Sequence, residues 1–170
     1  FTFNYDDCMY FGITMDYMQN GDLDKFIISK KDETPLCWTE HDALRLIVQL
    51  VAGISYLHQK EIVHRDIKPS NIFLGPDYKF VIGDFGISTS LETTRMTKLI
   101  GTDYFLPPED IEEPNETRVT YARDIWSCGV IAYTLIFGNP PYTGNSDQEI
   151  IKSIVSKSES VPFSDKFWKT

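Results

Sequence analysis

The sequence has no apolar run approaching the roughly 20 residues that span a bilayer. The nearest, Ile125 to Phe137, is too short and is interrupted by Ser127, Gly129 and Thr134, so no membrane segment is expected. No basic stretch followed by an apolar one stands near the start, so no signal peptide is read there. Cysteine is scarce: Cys8, Cys37 and Cys128 are an odd number without metal-ligand spacing. They read as reduced thiols, which points to an intracellular, cytoplasmic setting. Basic residues are outnumbered, with 16 Lys and Arg against 25 Asp and Glu and a net charge of −9. Such a chain carries no electrostatic footprint for nucleic acid or an anionic membrane. Internal repeats, low-complexity tracts and Gly/Ser linkers are also missing, which excludes solenoids and tandem modules.

What is present is the composition of one soluble globular domain. The 170 residues are 42% hydrophobic and 24% charged, and a chain of that length buries about 70% of its unfolded surface. Cys8 to Met18 is aromatic and apolar and reads as a strand ending at the turn Gln19-Asn20-Gly21-Asp22. A short helix is expected over Leu23 to Ser29. Thr39-Glu40-His41-Asp42 has the form of a capping box. It is followed by Leu44, Ile47, Val48, Val51, Ile54 and Leu57 at helical spacing. Ile62-Val63, Asn71 to Leu74 and Lys79 to Ile82 read as short strands, with a turn at Gly75-Pro76-Asp77-Tyr78. Gly86 to Thr102 has little periodicity and reads as a long functional loop. Asp124 to Gly138 is expected to be a helix buried all round, stopped by Pro140-Pro141. Ser146-Asp147-Gln148-Glu149 is a second capping box. The pattern predicts an α+β domain, mainly helical with a small β patch.

The chemistry concentrates in His64-Arg65-Asp66-Ile67-Lys68-Pro69-Ser70-Asn71, a loop between two short strands. It offers a carboxylate, two cations and an amide within eight residues. A carboxylate beside cations suits the handling of a hydroxyl nucleophile near an anionic group. Thirteen residues after Asn71 comes Asp84-Phe85-Gly86, a carboxylate closing a strand. Asn71 and Asp84 carry hard oxygen donors of the kind Mg²⁺ prefers. One base-like Asp, one Lys and two oxygen ligands make a phosphoryl-transfer set.

His64 to Asn71 resembles the catalytic loop of eukaryotic protein kinases, and Asp84-Phe85-Gly86 resembles their metal-binding DFG motif. Gly101 to Glu109 is similar to the end of the activation segment, with Pro107 where the family usually has Ala. Asp124-Ile125-Trp126-Ser127-Cys128-Gly129 resembles the start of the central buried helix. Four motifs in the family's order cover most of the chain. The resemblance implies the C-terminal lobe of a kinase, ATP and Mg²⁺ as cofactors, and a protein as substrate. It implies that Asp66 handles the substrate hydroxyl proton and that Lys68 holds the γ-phosphate. Asn71 and Asp84 would hold Mg²⁺, and Arg65 would anchor the activation segment. Lys68 and Gly101-Thr102 resemble the Ser/Thr branch, in which Thr102 would bond Asp66 and Lys68. Ile13 to Met18 looks like the last small-lobe strand entering the hinge. Met15 would then be the gatekeeper, and the backbone of Asp16 and Met18 would meet adenine. Asp22 would lie near the ribose, and Phe73, where the family more often has Leu, beneath the base. Thr97, then Thr94 and Thr93, are the expected phosphorylation sites of the loop, which implies an upstream activating kinase. Ser70 stands where many basophilic kinases have Glu, so a strong arginine preference is not expected.

Structural roles compete for several of these residues. His64 is expected to pack on Phe85 rather than act as a base, and Asp124 to bond the catalytic-loop backbone. Glu109 is expected to be an ion-pair partner of an arginine that the family's terminal helices normally supply. His41 and His58 read as surface or interface residues, and Trp38, Trp126 and Trp168 as core. No Gly-rich loop, no Val-Ala-Ile-Lys strand and no helix with a paired Glu is found before the hinge. The sequence therefore reads as residues 1–170 of a partial kinase domain, with the small lobe largely missing and the terminal helices truncated. Two other functions fit less well. A pseudokinase or scaffold would not need Asp66, Lys68, Asn71 and Asp84 together. A lipid or small-molecule kinase would not need the segment around Pro108-Glu109.

Overall fold

The computed structural model describes residues 2–6, 8–31, 39–86, 88–90, 103–112 and 120–157. Its longest helix, α2 (Glu40–Gln59), starts where the capping box predicts: the Thr39 side chain accepts from the Asp42 N–H at 3.1 Å. It crosses α4 (Tyr121–Phe137), and these two helices carry the main core. The buried stripe of α2 is Ala43, Leu46, Leu50, Ile54 and Leu57. Leu44, Val48 and Val51, read in the sequence as part of the same stripe, lie exposed on another face. The helix has two apolar stripes, and only its contact with α4 and the small strands chooses between them.

The N-terminal part departs from expectation. The strand read over Cys8 to Met18 is shorter, and it is half of an antiparallel hairpin, β1 (Thr2–Tyr5) with β2 (Cys8–Phe11). The ladder stops at Phe11 because its partner there is Thr2, at the start of β1. Residues 12–18 continue outside the strands of the described residues. Helix α1 (Leu23–Lys31) is two residues longer than expected, with Asp22 capping it by accepting from the Lys25 N–H at 2.9 Å.

Three short strands frame the loop from His64 to Asn71. Strand β3 (Ile62–Val63) precedes it, and the antiparallel pair β4 (Ile72–Leu74) and β5 (Phe80–Ile82) follows. A further strand, β6 (Thr89–Ser90), pairs with β3 inside the stretch expected to be loop. Two residues carry too little pattern to announce a strand, and the partners that make them one, Val63 for Thr89 and Ile62 for Ser90, lie far upstream in the chain. Helix α3 (Pro108–Glu112) follows a single turn at Asp103–Phe105.

Helix α4 is not buried all round. Ala122, Ile125 and Gly129 form an exposed strip, and Trp126 stacks parallel on Tyr142 beside an apolar hollow. Its stop is Gly138, at φ 75° with its N–H on the Thr134 carbonyl, two residues before Pro140. Glycine adopts this left-handed cap without steric cost. Helix α5 (Asp147–Lys157) opens on the second capping box, with the Glu149 N–H on Ser146 Oγ and Glu149 Oε2 accepting from the Asn145 N–H. Among the described residues, no helix is long and apolar enough to cross a membrane.

Candidate active site

The turn after residue 18 is closed by one hydrogen bond of its own and tied to β4 and the residue after it by three more. The Gly21 N–H reaches the Met18 carbonyl at 3.1 Å, the Leu74 N–H reaches the Gly21 carbonyl at 2.8 Å, the Asn20 N–H reaches the Leu74 carbonyl at 3.3 Å, and Asn20 Nδ2 reaches the Gly75 carbonyl at 2.7 Å. Asp22 and Phe73 therefore sit side by side as a β-bridge. Together with Met15, Asp16, Tyr17, Met18, Val81, Gly83 and Asp84 they line a cleft of about 860 Å³. Five of the residues read from the sequence as nucleotide contacts (Asp16, Met18, Asp22, Phe73 and Asp84) thus face one cavity. Asp22 also holds Lys25, whose ammonium lies 2.9 Å from its carboxylate. Burial pushes this carboxyl up, but the Lys25 amide and ammonium outweigh it and hold the group below its ordinary value.

Asp66, Lys68 and Asn71 form a compact group beside that cleft. Lys68 Nζ lies 2.7 Å from Asp66 Oδ2. Asn71 Nδ2 donates to the same oxygen at 3.0 Å and to the Asp66 carbonyl at 2.8 Å. The single turn Pro69–Asn71 places Asn71 in reach, with proline at its first position where no N–H is needed. The Gly83 N–H bonds the Asn71 carbonyl at 3.0 Å, just beyond the Ile72–Ile82 pairing. Asn71 and Asp84 therefore stand at the same end of the β4–β5 ladder. Asp84 takes a left-handed backbone at φ 59°, and its Oδ1 accepts from the Gly86 N–H at 3.4 Å.

The donor chemistry at Asn71 and Asp84 suits a hard cation. The Asn71 amide nitrogen is committed to Asp66, which leaves its side-chain oxygen as the atom that could face a cation. Among the described residues there is no group of three or more His, Cys, Asp or Glu that could hold a metal alone. Two oxygen donors fit an ion such as Mg²⁺, which keeps several waters and completes its shell with substrate phosphates.

The family model described as "Protein kinase domain" matches residues 2–169. The chain belongs to the protein kinase family. It is 37% identical over 155 residues to calcium-dependent protein kinase 4 of Plasmodium falciparum, covering 88% of this chain and 28% of that protein. It is 34% identical over 174 residues to human 3-phosphoinositide-dependent protein kinase 1, covering 99% of this chain and 29% of that protein. It is 33% identical over 163 residues to serine/threonine-protein kinase PLK4 of Drosophila willistoni, covering 93% of this chain and 20% of that protein. This kinase chain thus spans less than a third of the length of these three relatives.

The structural roles expected for His64 and Asp124 are seen in this kinase chain. His64 is fully buried with its ring centroid 4.9 Å from that of Phe85. Its Nε2 lies 2.9 Å from the Gly83 carbonyl, and its Nδ1 accepts from the Asp66 N–H at 3.3 Å. A carbonyl can only accept, so the proton sits on Nε2 and both nitrogens are occupied. Asp124, also fully buried, accepts from the His64 and Arg65 N–H groups, each at 2.9 Å. Arg65 holds φ at 70°, and burial pulls its guanidinium below its ordinary value, with Asp124 opposing. Cys128 is buried in α4 and its thiol is pushed up to about 12 by that burial. Cys8 is exposed and Cys37 lies outside the described residues.

Two residues go beyond the expectations. Of the two readings left open for His58, surface or interface, the structure takes the second: its Nε2 lies 2.9 Å from Asp124 Oδ2 and its ring stacks on Tyr121 at 4.3 Å. It sits in the last turn of α2, where the helix runs into α4. Beside the exposed Glu109, Asp110 forms a buried ion pair with Arg123 that the sequence reading missed. The sequence signal was Arg123, the one basic residue of a mostly apolar helix. Thr93, Thr94, Thr97, Gly101, Thr102, Trp38 and Trp168 lie outside the described residues.

Proposed function

We propose that this chain, as part of a complete kinase domain in the cytoplasm, transfers the γ-phosphoryl of MgATP to serine or threonine hydroxyls of a protein substrate. The observation that carries this reading is the Lys68–Asp66–Asn71 group beside the cleft that holds Asp84. Lys68 and Asn71 both hold Oδ2 of Asp66, so the carboxylate is fixed by one oxygen and offers the other to a substrate hydroxyl. Asp66 orients that hydroxyl and takes its proton as the phosphoryl moves. Lys68, already turned inward to this carboxylate, reaches the γ-phosphate as a point charge. Asn71 and Asp84 would hold Mg²⁺, and the ion would supply positive charge against the phosphates. The backbone at Asp16 and Met18 meets adenine, Phe73 lies beneath it, and Asp22 faces the ribose.

Incubating the full-length protein with radiolabelled MgATP and a mixed protein substrate, followed by phosphoamino-acid analysis, tests this. Phosphoserine or phosphothreonine that disappears with EDTA is expected. Bound MgATP without any labelled protein would instead support a pseudokinase.

The floor of the cleft gives a second expected result. A Cβ at Gly83 would lie 2.6 Å from Cε2 and 2.9 Å from Cδ2 of Phe73. Gly83→Ala therefore forces the ring toward the space assigned to the base. Overpacking of this kind costs about 1–3 kcal/mol, so MgATP affinity is expected to fall roughly tenfold. Phe73→Leu removes the clash, and the double variant should recover to within about threefold of Phe73→Leu alone. Nucleotide titrations check this, and strictly additive losses would contradict the pairing.

Phosphorylation at Thr97, or failing that at Thr94 or Thr93, by an upstream kinase is expected to raise activity. A phosphate adds close to two negative charges that Arg65 can bind through a charge-assisted pair. The gain should be modest, because Ile87-Ser88-Thr89-Ser90 supplies no further cation. Equal activity in a variant with alanine at all three threonines would count against the site.

A further inference from the structure

Two consecutive residues in the first turn of α4 grip Arg65 at both its backbone polar groups. Asp124 Oδ1 accepts the Arg65 N–H at 2.9 Å, and Arg123 Nε donates to the Arg65 carbonyl at 3.1 Å. The grip falls where the backbone turns left-handed, at φ 70°, one residue before Asp66. A non-glycine residue in that region costs about 1–3 kcal/mol and persists only where its surroundings over-determine it. The direction in which Asp66 leaves the loop therefore depends on what holds Arg65.

Arg123 does more than hold that carbonyl. Its Nη1 pairs with Asp110 Oδ2 on α3, and the two residues are only 4% and 1% exposed. Burial pulls the Arg123 guanidinium below its ordinary value and lifts the Asp110 carboxyl above its own, each partner opposing the other's shift. A pair so deeply desolvated adds little stability that apolar residues of similar volume could not supply. The seating of α3 has a separate anchor, because Ser127 Oγ donates to the Phe105 carbonyl at 2.9 Å just before it. What the ion pair adds is a connection: one planar guanidinium touches α3 with one nitrogen and the catalytic loop with another.

We propose that Arg123 is a positioning residue for Asp66, carrying the seating of α3 through Asp110 to the Arg65 carbonyl and so setting the aim of the catalytic carboxylate. The inference rests on the phosphoryl-transfer reading of Asp66. It adds that the short helix after Pro107 is coupled to the chemistry through a side chain that touches neither nucleotide nor substrate.

The test uses the full-length protein with two variants. Asp110→Leu/Arg123→Met removes both charges at similar volume, a replacement that is often neutral or stabilising. Arg123→Lys keeps a cation against Asp110 but lacks the two-directional fork of the guanidinium. With thermal midpoints near wild type and MgATP affinity within about twofold, kcat is expected to fall roughly 10- to 100-fold in the double variant. KM for the protein substrate should stay nearly constant. Arg123→Lys should show a smaller fall in kcat, about fivefold, with the same split. Wild-type kcat in either folded variant overturns the proposal, and if the double variant fails to fold, Arg123→Lys decides alone. Amide hydrogen exchange over residues 64–68 gives a readout that does not need turnover. Protection there should drop in both variants, and unchanged protection overturns the proposal even if the wild-type protein transfers no phosphate. Absence of transfer by the wild type counts against the phosphoryl-transfer reading alone.

Discussion

Asp66→Asn in the full-length protein is expected to lower kcat by about 10²- to 10⁴-fold while MgATP affinity stays within about threefold. Asparagine matches the carboxylate in size, and the Asn71 bond to the residue-66 carbonyl, at 2.8 Å, does not depend on the side chain. The loop should therefore keep its shape. What is lost is the negative charge that holds Lys68 at 2.7 Å and the ability to take a proton. Asp84→Asn should act differently, weakening the metal-nucleotide complex itself rather than the step that follows. Steady-state kinetics combined with nucleotide titration separate the two. Near-normal turnover in Asp66→Asn would contradict the role assigned to this carboxylate.

Asp124→Ala is expected to cost the most stability of any single change considered. Its two oxygens receive the His64 N–H, the Arg65 N–H and His58 Nε2, all at 2.9 Å, and the residue is fully buried. Alanine leaves those groups without an acceptor, and a buried orphaned donor costs about 1–3 kcal/mol. A total of about 3 kcal/mol or more is a large share of the roughly 5–15 kcal/mol that holds a domain folded. The thermal midpoint should fall by roughly 10 °C. Asp124→Asn retains one acceptor but turns an NH₂ toward the other donors, so it should fall between alanine and wild type. Thermal and denaturant unfolding check the order, and a loss under about 1 kcal/mol for alanine would contradict the network.

The parts of the fold legible in the sequence are those where short-range chemistry decides. Thr39 and Ser146 announce their helices because a hydroxyl can reach an N–H three residues on. The loop from His64 to Asn71 announces its chemistry because its charged groups are neighbours in the chain. What the sequence leaves open depends on partners far away. Leu44, Val48 and Val51 share the helical period of the buried stripe, and nothing local says which stripe meets α4. His58 leaves surface and interface open until Asp124, 66 positions later, is brought against it. Asp110 carries no local sign of its buried pairing, because its partner lies 13 positions on. Thr89 and Ser90 form a strand only because β3 lies beside them.

A crystal structure of the full-length protein with Mg²⁺, a non-hydrolysable ATP analogue and a substrate peptide tests the central claim most directly. It should show the metal on the Asn71 side-chain oxygen and the Asp84 carboxylate. The base should lie over Phe73 against the backbone of residues 16–18, and the substrate hydroxyl within hydrogen-bond reach of Asp66. Nucleotide bound with its metal on other residues, or a substrate hydroxyl that meets a group other than Asp66, would contradict the account.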